Sequence, residues 1–505
     1  MNQELTTSFK KVVKGTGVVF IGTILGTLLG FIFRVIVVRY ITKAEYGLLS
    51  LSLAMINILV VVSCLGFING VPRFISYALG KREYSKAWAT IKTSISLVAV
   101  LSIFFALVLV SFSNYIANFF HKLGLIPIVK IIAFVLPLMA LTEIFISILR
   151  GFEDVKAKVF FQDIFSKGIK IVIGGLVILL DLSFKGVVFT YLIGGFFTLI
   201  FLSYYAKSRI NELLPKISNF YPSITKELMS FSLPLLGSSI FAILREHSTI
   251  LLLGYFKPAN TVGLYNVALP LAQLISMPLM AMVFIYLPIA SQLYAQGNLK
   301  DMKLLYISVT KWIFFITLPI FLSMLLAPKI IIKLLFGSKY IEASVALQIL
   351  TLGFFIHTFL GPNGMTLISI GKTNIMLFCS VISTFVGIIV ALLLIPNYGL
   401  IGAAVSAATS LAMFNFSASF FLYKIFALHP FKKNYTIPLI TTISLILLGF
   451  HITKHFLSSD WQIIISVLFL SICFPLITFL TKNFTEEDIW FITTVKKKMI
   501  NNSHT

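Results

Sequence analysis

Charged side chains inside apolar stretches are where this sequence can do chemistry, because a charge at the bilayer centre costs about 2.5–3.5 kcal/mol unless it is paired or wetted. Asp163, Lys167 and Lys170 interrupt the apolar run 158–180 at i, i+4 and i+7, a spacing that predicts one shared helix face. Asp163 and Lys167 can neutralise each other, which would be a packing role. Lys170 still has no local counter-charge, so this face is suited to receive an anion. In the run 229–254, Arg245-Glu246-His247 stand in succession. Neighbours on a helix point about 100° apart, so Glu246 does not simply neutralise Arg245, and each needs a partner on another helix or water. Arg245 is read as a ligand for an anionic head group and Glu246 as a coupling or structural carboxylate.

Other charges have blander readings of equal standing. Arg34 sits one turn from the outer end of the run 15–38, where a long side chain can snorkel to the interface. The same explanation covers Lys92 and Lys311 near the inner ends of their runs. Glu143 lies in an apolar run and either carries a proton or pairs with a lysine of 158–180. His357 and the cysteines Cys64, Cys379 and Cys473 stand alone, without metal or CxxC spacing, and are expected to be packing residues. Gly22, Gly26 and Gly30 form a GxxxGxxxG face for close helix contact. Enzyme motifs are missing: Ile370-Gly371-Lys372-Thr373 ends like a phosphate loop, but Thr366 stands where its first glycine belongs. No cofactor and no catalytic residue are expected.

The elements that position these residues follow from composition. The 505-residue chain is 58% hydrophobic and 11% charged, with a mean hydropathy of +1.01. A water-soluble fold is excluded. Stretches near the ~20 residues that cross a bilayer as helix recur about fourteen times, which specifies an all-α integral membrane protein and not a barrel of shorter alternating segments. The net charge of +23 sits in short loops between apolar runs, so it orients the chain in the membrane and does not point to nucleic acid. With both termini inside, the inner segments hold more than twice as many Lys and Arg as the outer ones. The basic start, MNQELTTSFKKVVKG, leads into the first run without a small-residue cleavage site and is read as a signal anchor.

Two halves of the chain also resemble each other. Gly47-Leu48 precedes Pro72, and Gly263-Leu264 precedes Pro288, at one common offset of 216 residues. Both copies start a run from the same side, so the repeats are parallel, related by an axis along the membrane normal. The expected organisation is a six-helix lobe at 1–206, a basic amphipathic linker at 207–228, a second six-helix lobe at 229–424, a helix pair within 436–481 (436–453 and 461–481) and a tail at 482–505. The lobes would enclose a central cavity, and a monomer is expected because the repeat already supplies two lobes.

The segment Arg39-Tyr40-Ile41-Thr42-Lys43-Ala44-Glu45-Tyr46-Gly47-Leu48 resembles a signature of the polysaccharide (O-antigen-type) flippases of the multidrug/oligosaccharidyl-lipid/polysaccharide exporter superfamily. Val71-Pro72-Arg73-Phe74-Ile75, Phe231-Ser232-Leu233-Pro234-Leu235 and Asn397-Tyr398-Gly399-Leu400-Ile401-Gly402 extend the resemblance over nearly all of the chain. It implies a flippase that moves a polyprenyl-pyrophosphate-linked oligosaccharide from the cytoplasmic to the outer leaflet of the cell membrane by alternating access. By that resemblance Arg34, Arg73, Lys167, Lys170 and Arg245 line a cationic cavity, with Glu246, Asp163 and Glu143 available to couple H+ or Na+. Relatives often carry an aspartate where this chain has Arg245-Glu246-His247, a departure that bears on any carried-over coupling scheme. The alternatives are a lipid II flippase, a cation-coupled multidrug exporter, and a membrane polysaccharide polymerase or glycosyltransferase. The exporter calls for acidic cavity residues, whereas basic ones outnumber acids within the runs; the polymerase calls for a larger outer loop than any present.

Overall fold

The computed structural model describes residues 3–215, 224–427 and Ser444. The expected runs 436–453 and 461–481 and the tail lie outside the described residues. Among those described, every regular element is helical: α1 (Gln3–Tyr40), α2 (Lys43–Ser63), α3 (Phe67–Gly80), α4 (Tyr84–Ser111), α5 (Ser113–Phe119), α6 (Leu125–Ile132), α7 (Val135–Gly151), α8 (Val155–Ala157), α9 (Ser166–Leu179), α10 (Phe184–Leu213), α11 (Thr225–Phe256), α12 (Ala259–Gln273), α13 (Met277–Ala295), α14 (Leu299–Leu326), α15 (Pro328–Phe336), α16 (Ser344–Phe359), α17 (Asn363–Ser369) and α18 (Thr373–Phe426). A π-helical stretch, Lys158–Phe165, joins α8 to α9.

Ten helical stretches among the described residues are long and apolar enough to cross a membrane. α18, with 54 residues, would be about 80 Å long as one rod, far more than the roughly 30 Å hydrocarbon core. Its backbone breaks at Gly399 (φ 51°, ψ −116°), which divides it into the two runs expected at 374–395 and 400–423. The run expected at 158–180 is the π-helical stretch plus α9.

The chain forms two compact units. Among the described residues, one holds 12–266 with 392–400, and the other 3–11, 267–391 and 401–427. In the first, α2 packs on α11, and α3, α4 and α10 pack on α7. α11, expected to open the second lobe, lies against α2 and α3 here. In the second, α13 packs on α14 and α17, and α14 on α16; the buried Tyr286 hydroxyl lies 2.6 Å from Thr366 Oγ1, and Tyr306 donates to the Leu360 carbonyl at 2.7 Å.

The repeat has a structural counterpart. α2 begins at Lys43 and α12 at Ala259, the same 216-residue offset as Gly47 and Gly263. Both helices are followed by a break, Gly66 in the left-handed region (φ 76°) in one copy and a 3-10 turn at Leu274–Ser276 in the other. Each next helix carries its proline inside, Pro72 in α3 and Pro288 in α13. Within the first unit the two repeat glycines meet: a Cβ on Gly47 would strike the Ala259 carbonyl and one on Gly263 the Lys43 carbonyl. The contact is reciprocal.

Candidate functional site

The eight charged residues expected to bind substrate or couple an ion all lie in the first unit, and most of them are distributed over three helix crossings. The first is built by the GxxxGxxxG face of α1. A Cβ on Gly22 would strike Val159, one on Gly26 would come within 2.6 Å of the Asp163 carbonyl oxygen and 2.7 Å of its Cβ, and one on Gly30 would lie 3.5 Å from Lys167 Cδ. Small residues thus bring α1 against the π-helical stretch and the start of α9. Buried Asp163 pairs there with Lys167 (3.5 Å), and Thr23 Oγ1 of α1 donates to its other carboxylate oxygen at 3.5 Å.

Lys170 faces a different helix. Its side chain covers Gly194 of α10, and its ammonium stands 5.6 Å from the ring centre of Tyr191. Tyr191 packs edge-on against Phe33 of α1 (5.6 Å), and half-buried Arg34 lies close enough to Tyr191 and to Tyr46 of α2 to act on both electrostatically. Asp163, Lys167 and Lys170 therefore do not share one face in the sense of meeting one neighbour. The Asp163–Lys167 pair meets α1, whereas Lys170, three residues on from Lys167 in α9, meets α10. Around α1, α9 and α10 stand Arg34, Lys167 and Lys170, with Asp163 as the carboxylate in contact.

The second crossing, of α3 with α11, uses Gly66 and Gly70 as contact points for Ser232. One turn on, the exposed Arg73 places its guanidinium 4.2 Å from the ring centre of Phe231, a cation–π contact that holds it at this crossing. The third joins α3, α7 and the π-helical stretch: Arg150 donates to the Ile68 carbonyl at 2.9 Å, Ser147 to the same oxygen at 3.1 Å, and Glu143 accepts from Gln162 Nε2. Glu143 takes no lysine of 158–180 as a direct contact, although Lys158 acts on it electrostatically. On α11 Arg245 is half-buried and Glu246 beside it is exposed. His357 of the second unit has its Nδ1 3.0 Å from Asn415 Oδ1. Tyr191, Gln162 and Phe231 are the partners that sequence reasoning missed. Each is a common residue type in an apolar run, and nothing in its spacing marks it.

A family model described as polysaccharide biosynthesis protein matches residues 36–345, more than half of the chain. The chain belongs to that family. An uncharacterized membrane protein of Methanocaldococcus jannaschii is 24% identical over 416 residues, covering 79% of this chain and 81% of that protein. A protein of Shigella flexneri named as an O-antigen transporter is 24% identical over 378 residues, 72% of this chain and 85% of the relative. Among solved structures, the lipid II flippase MurJ in its inward closed conformation superposes with a TM-score of 0.71 at 14% identity, over 90% of this chain and 96% of that one. An inward-facing multidrug resistance MATE family transporter of the MOP superfamily gives 0.68 at 16% identity, over 79% and 94%. The family member described here is thus a helical multi-pass membrane protein whose fold is like those of the MurJ and MATE transporters.

Proposed function

We propose that the protein is a flippase for polyprenyl-pyrophosphate-linked oligosaccharide, moving it from the cytoplasmic to the outer leaflet of the cell membrane by alternating access, with both termini cytoplasmic and without a catalytic reaction of its own. The observation that carries this reading is the gathering of Arg34, Lys167 and Lys170 around α1, α9 and α10 with Asp163 as the carboxylate in contact. A pyrophosphate brings about two negative charges whose transfer into hydrocarbon is prohibitive, and a site with excess positive charge lowers that barrier. Lys170, whose stem lies on Gly194, offers its ammonium to such a ligand, and the aromatic face of Tyr191 holds the lysine in place without neutralising it. The polyprenyl tail remains in lipid, so sugar recognition is loose and the pyrophosphate is the feature that is read. Arg245 and Arg73 are assigned to the same route, with H+ or Na+ coupled through Glu246, the exposed one of the three candidate carboxylates, and the two lobes moving as a monomer.

Family membership and the named O-antigen transporter favour an oligosaccharide over lipid II, and the cationic character speaks against a cation-coupled drug exporter. The test is leaflet exchange of a fluorescent polyprenyl-pyrophosphate oligosaccharide in liposomes holding the purified protein. Removing one charge-assisted contact is expected to cost about 1.5–3 kcal/mol, so Lys170→Ala and Arg245→Ala should each slow exchange about ten- to a hundred-fold. Exchange unchanged in both variants would remove the site assignment. Absence of exchange in wild type, or transfer of the glycan to an acceptor, would remove the flippase.

A further inference from the structure

Away from these crossings, the first unit carries a groove of about 560 Å³ between α4 and α10, floored by α7. Lys92 of α4 and Lys207 of α10, both exposed, stand in its lining with Trp88, whose indole Nε1 donates to the Pro215 carbonyl at 3.3 Å. Among the described residues that line it, none is a carboxylate. The rest is mostly apolar, with Ile95, Phe145 and Ile200 forming its body.

The groove is polar at one end and greasy at the other. Moving along α4 away from Lys92, the outward residues are Val100, Ile103, Phe104 and Leu107, each more than half exposed. Moving along α10 away from Lys207, they are Ile200, Phe197, Phe196, Ile193 and Phe189. Apolar side chains exposed on spans of a membrane protein face lipid. Lys92 and Lys207, at the ends of α4 and α10 that adjoin basic segments, lie where a lipid head group sits, and the stripes lie where its chains run. Trp88 suits the boundary between them.

We infer that this groove binds an anionic glycerophospholipid, its phosphate held by Lys92 and Lys207 and an acyl chain lying along Ile95, Phe145 and Ile200. The occupant is a resident of the surrounding leaflet and is separate from the flipped substrate. Phosphatidylglycerol is favoured over the zwitterionic phosphatidylcholine because two exposed lysines in one groove attract net negative charge, and each basic residue near an anionic head group adds to that selection.

The experiment uses the full chain with Trp88 as its remaining tryptophan, the other three replaced by Phe. Phosphatidylglycerol or phosphatidylcholine with brominated acyl chains is titrated into the detergent-solubilised protein, and contact quenching of Trp88 is read. Half-quenching is expected at a concentration lower by about tenfold or more for phosphatidylglycerol. That preference should vanish in Lys92→Gln/Lys207→Gln and persist in Lys226→Gln/Lys300→Gln, a change of equal charge elsewhere. Should the double variant fail to purify, Lys207→Gln alone, at an exposed position, should reduce the preference. Equal quenching by both lipids, or a preference unaffected by the Lys92 and Lys207 changes, overturns the assignment. Displacement of brominated phosphatidylglycerol by millimolar inorganic phosphate also overturns it, because the site would then be one for free anions.

Discussion

Lys170 and Asp163 lie seven residues apart on nearly continuous helix, yet they have opposite surroundings. Asp163 is buried against α1, with Lys167 and Thr23 as partners, whereas Lys170 has the ring of Tyr191 and the bare backbone of Gly194. Breaking a buried pair costs more than the pair contributes, because it strands the remaining charge. Asp163→Ala should therefore lower stability by about 1–3 kcal/mol, read as a fall in the melting temperature of the detergent-solubilised protein. Adding Lys167→Met should recover most of the loss. If the double variant melts below the single one, the pair is not what Asp163 contributes. Which residues are charged inside the spans was legible from residue type alone. That Lys170 meets α10 was not, since spacing along one helix does not say which other helix will cover each side of it.

The crossings depend on glycine at the scale of helices. Gly22, Gly26 and Gly30 bring α1 onto the π-helical stretch, Gly66 and Gly70 bring α3 onto α11, and Gly47 meets α12 while Gly263 meets α2. At all of these but Gly30, where a Cβ would only touch the Lys167 stem, a Cβ would crowd backbone or a side chain already there, so substitution forces the helices apart. Gly47→Val and Gly263→Val should each cost about 1–3 kcal/mol as overpacking. Because they abut one crossing, the double variant should cost clearly less than the sum of the singles. Thermal melts of the three variants check this, and strict additivity would separate the two positions. The repeat offset and the GxxxGxxxG spacing were legible in the sequence. The identity of what lies across from them was not, because helix spacing defines a face but not the helix that covers it.

For the whole molecule, the distribution of lysine and arginine among short loops predicts which loops face the cytoplasm. Arg82 lies between α3 and α4, where the count places the cytoplasm, and Leu123 lies between α5 and α6 on the opposite side. On a background with Cys64, Cys379 and Cys473 replaced by serine, Arg82→Cys should react with a membrane-impermeant maleimide only after the cells are opened, and Leu123→Cys should react in intact cells. Reversed labelling would invert the topology and with it the direction of the proposed transport.

Hydropathy, charge bias and the 216-residue repeat are local or additive properties of the chain. For that reason the sequence by itself determined the helical membrane class, the placement of most of the runs up to 426, and the set of charges worth testing. A bilayer enforces this legibility, since each crossing must satisfy its own backbone and so declares itself as an apolar run. Only the tertiary structure decided how the charges are grouped: Asp163 with Lys167 and Thr23, Lys170 with Tyr191, Arg73 with Phe231, Glu143 with Gln162. It also decided that Trp88, Lys92 and Lys207 share one groove. Those groupings arise from contacts between helices far apart in sequence, set by close approach at a few glycines, and no spacing along the chain encodes them.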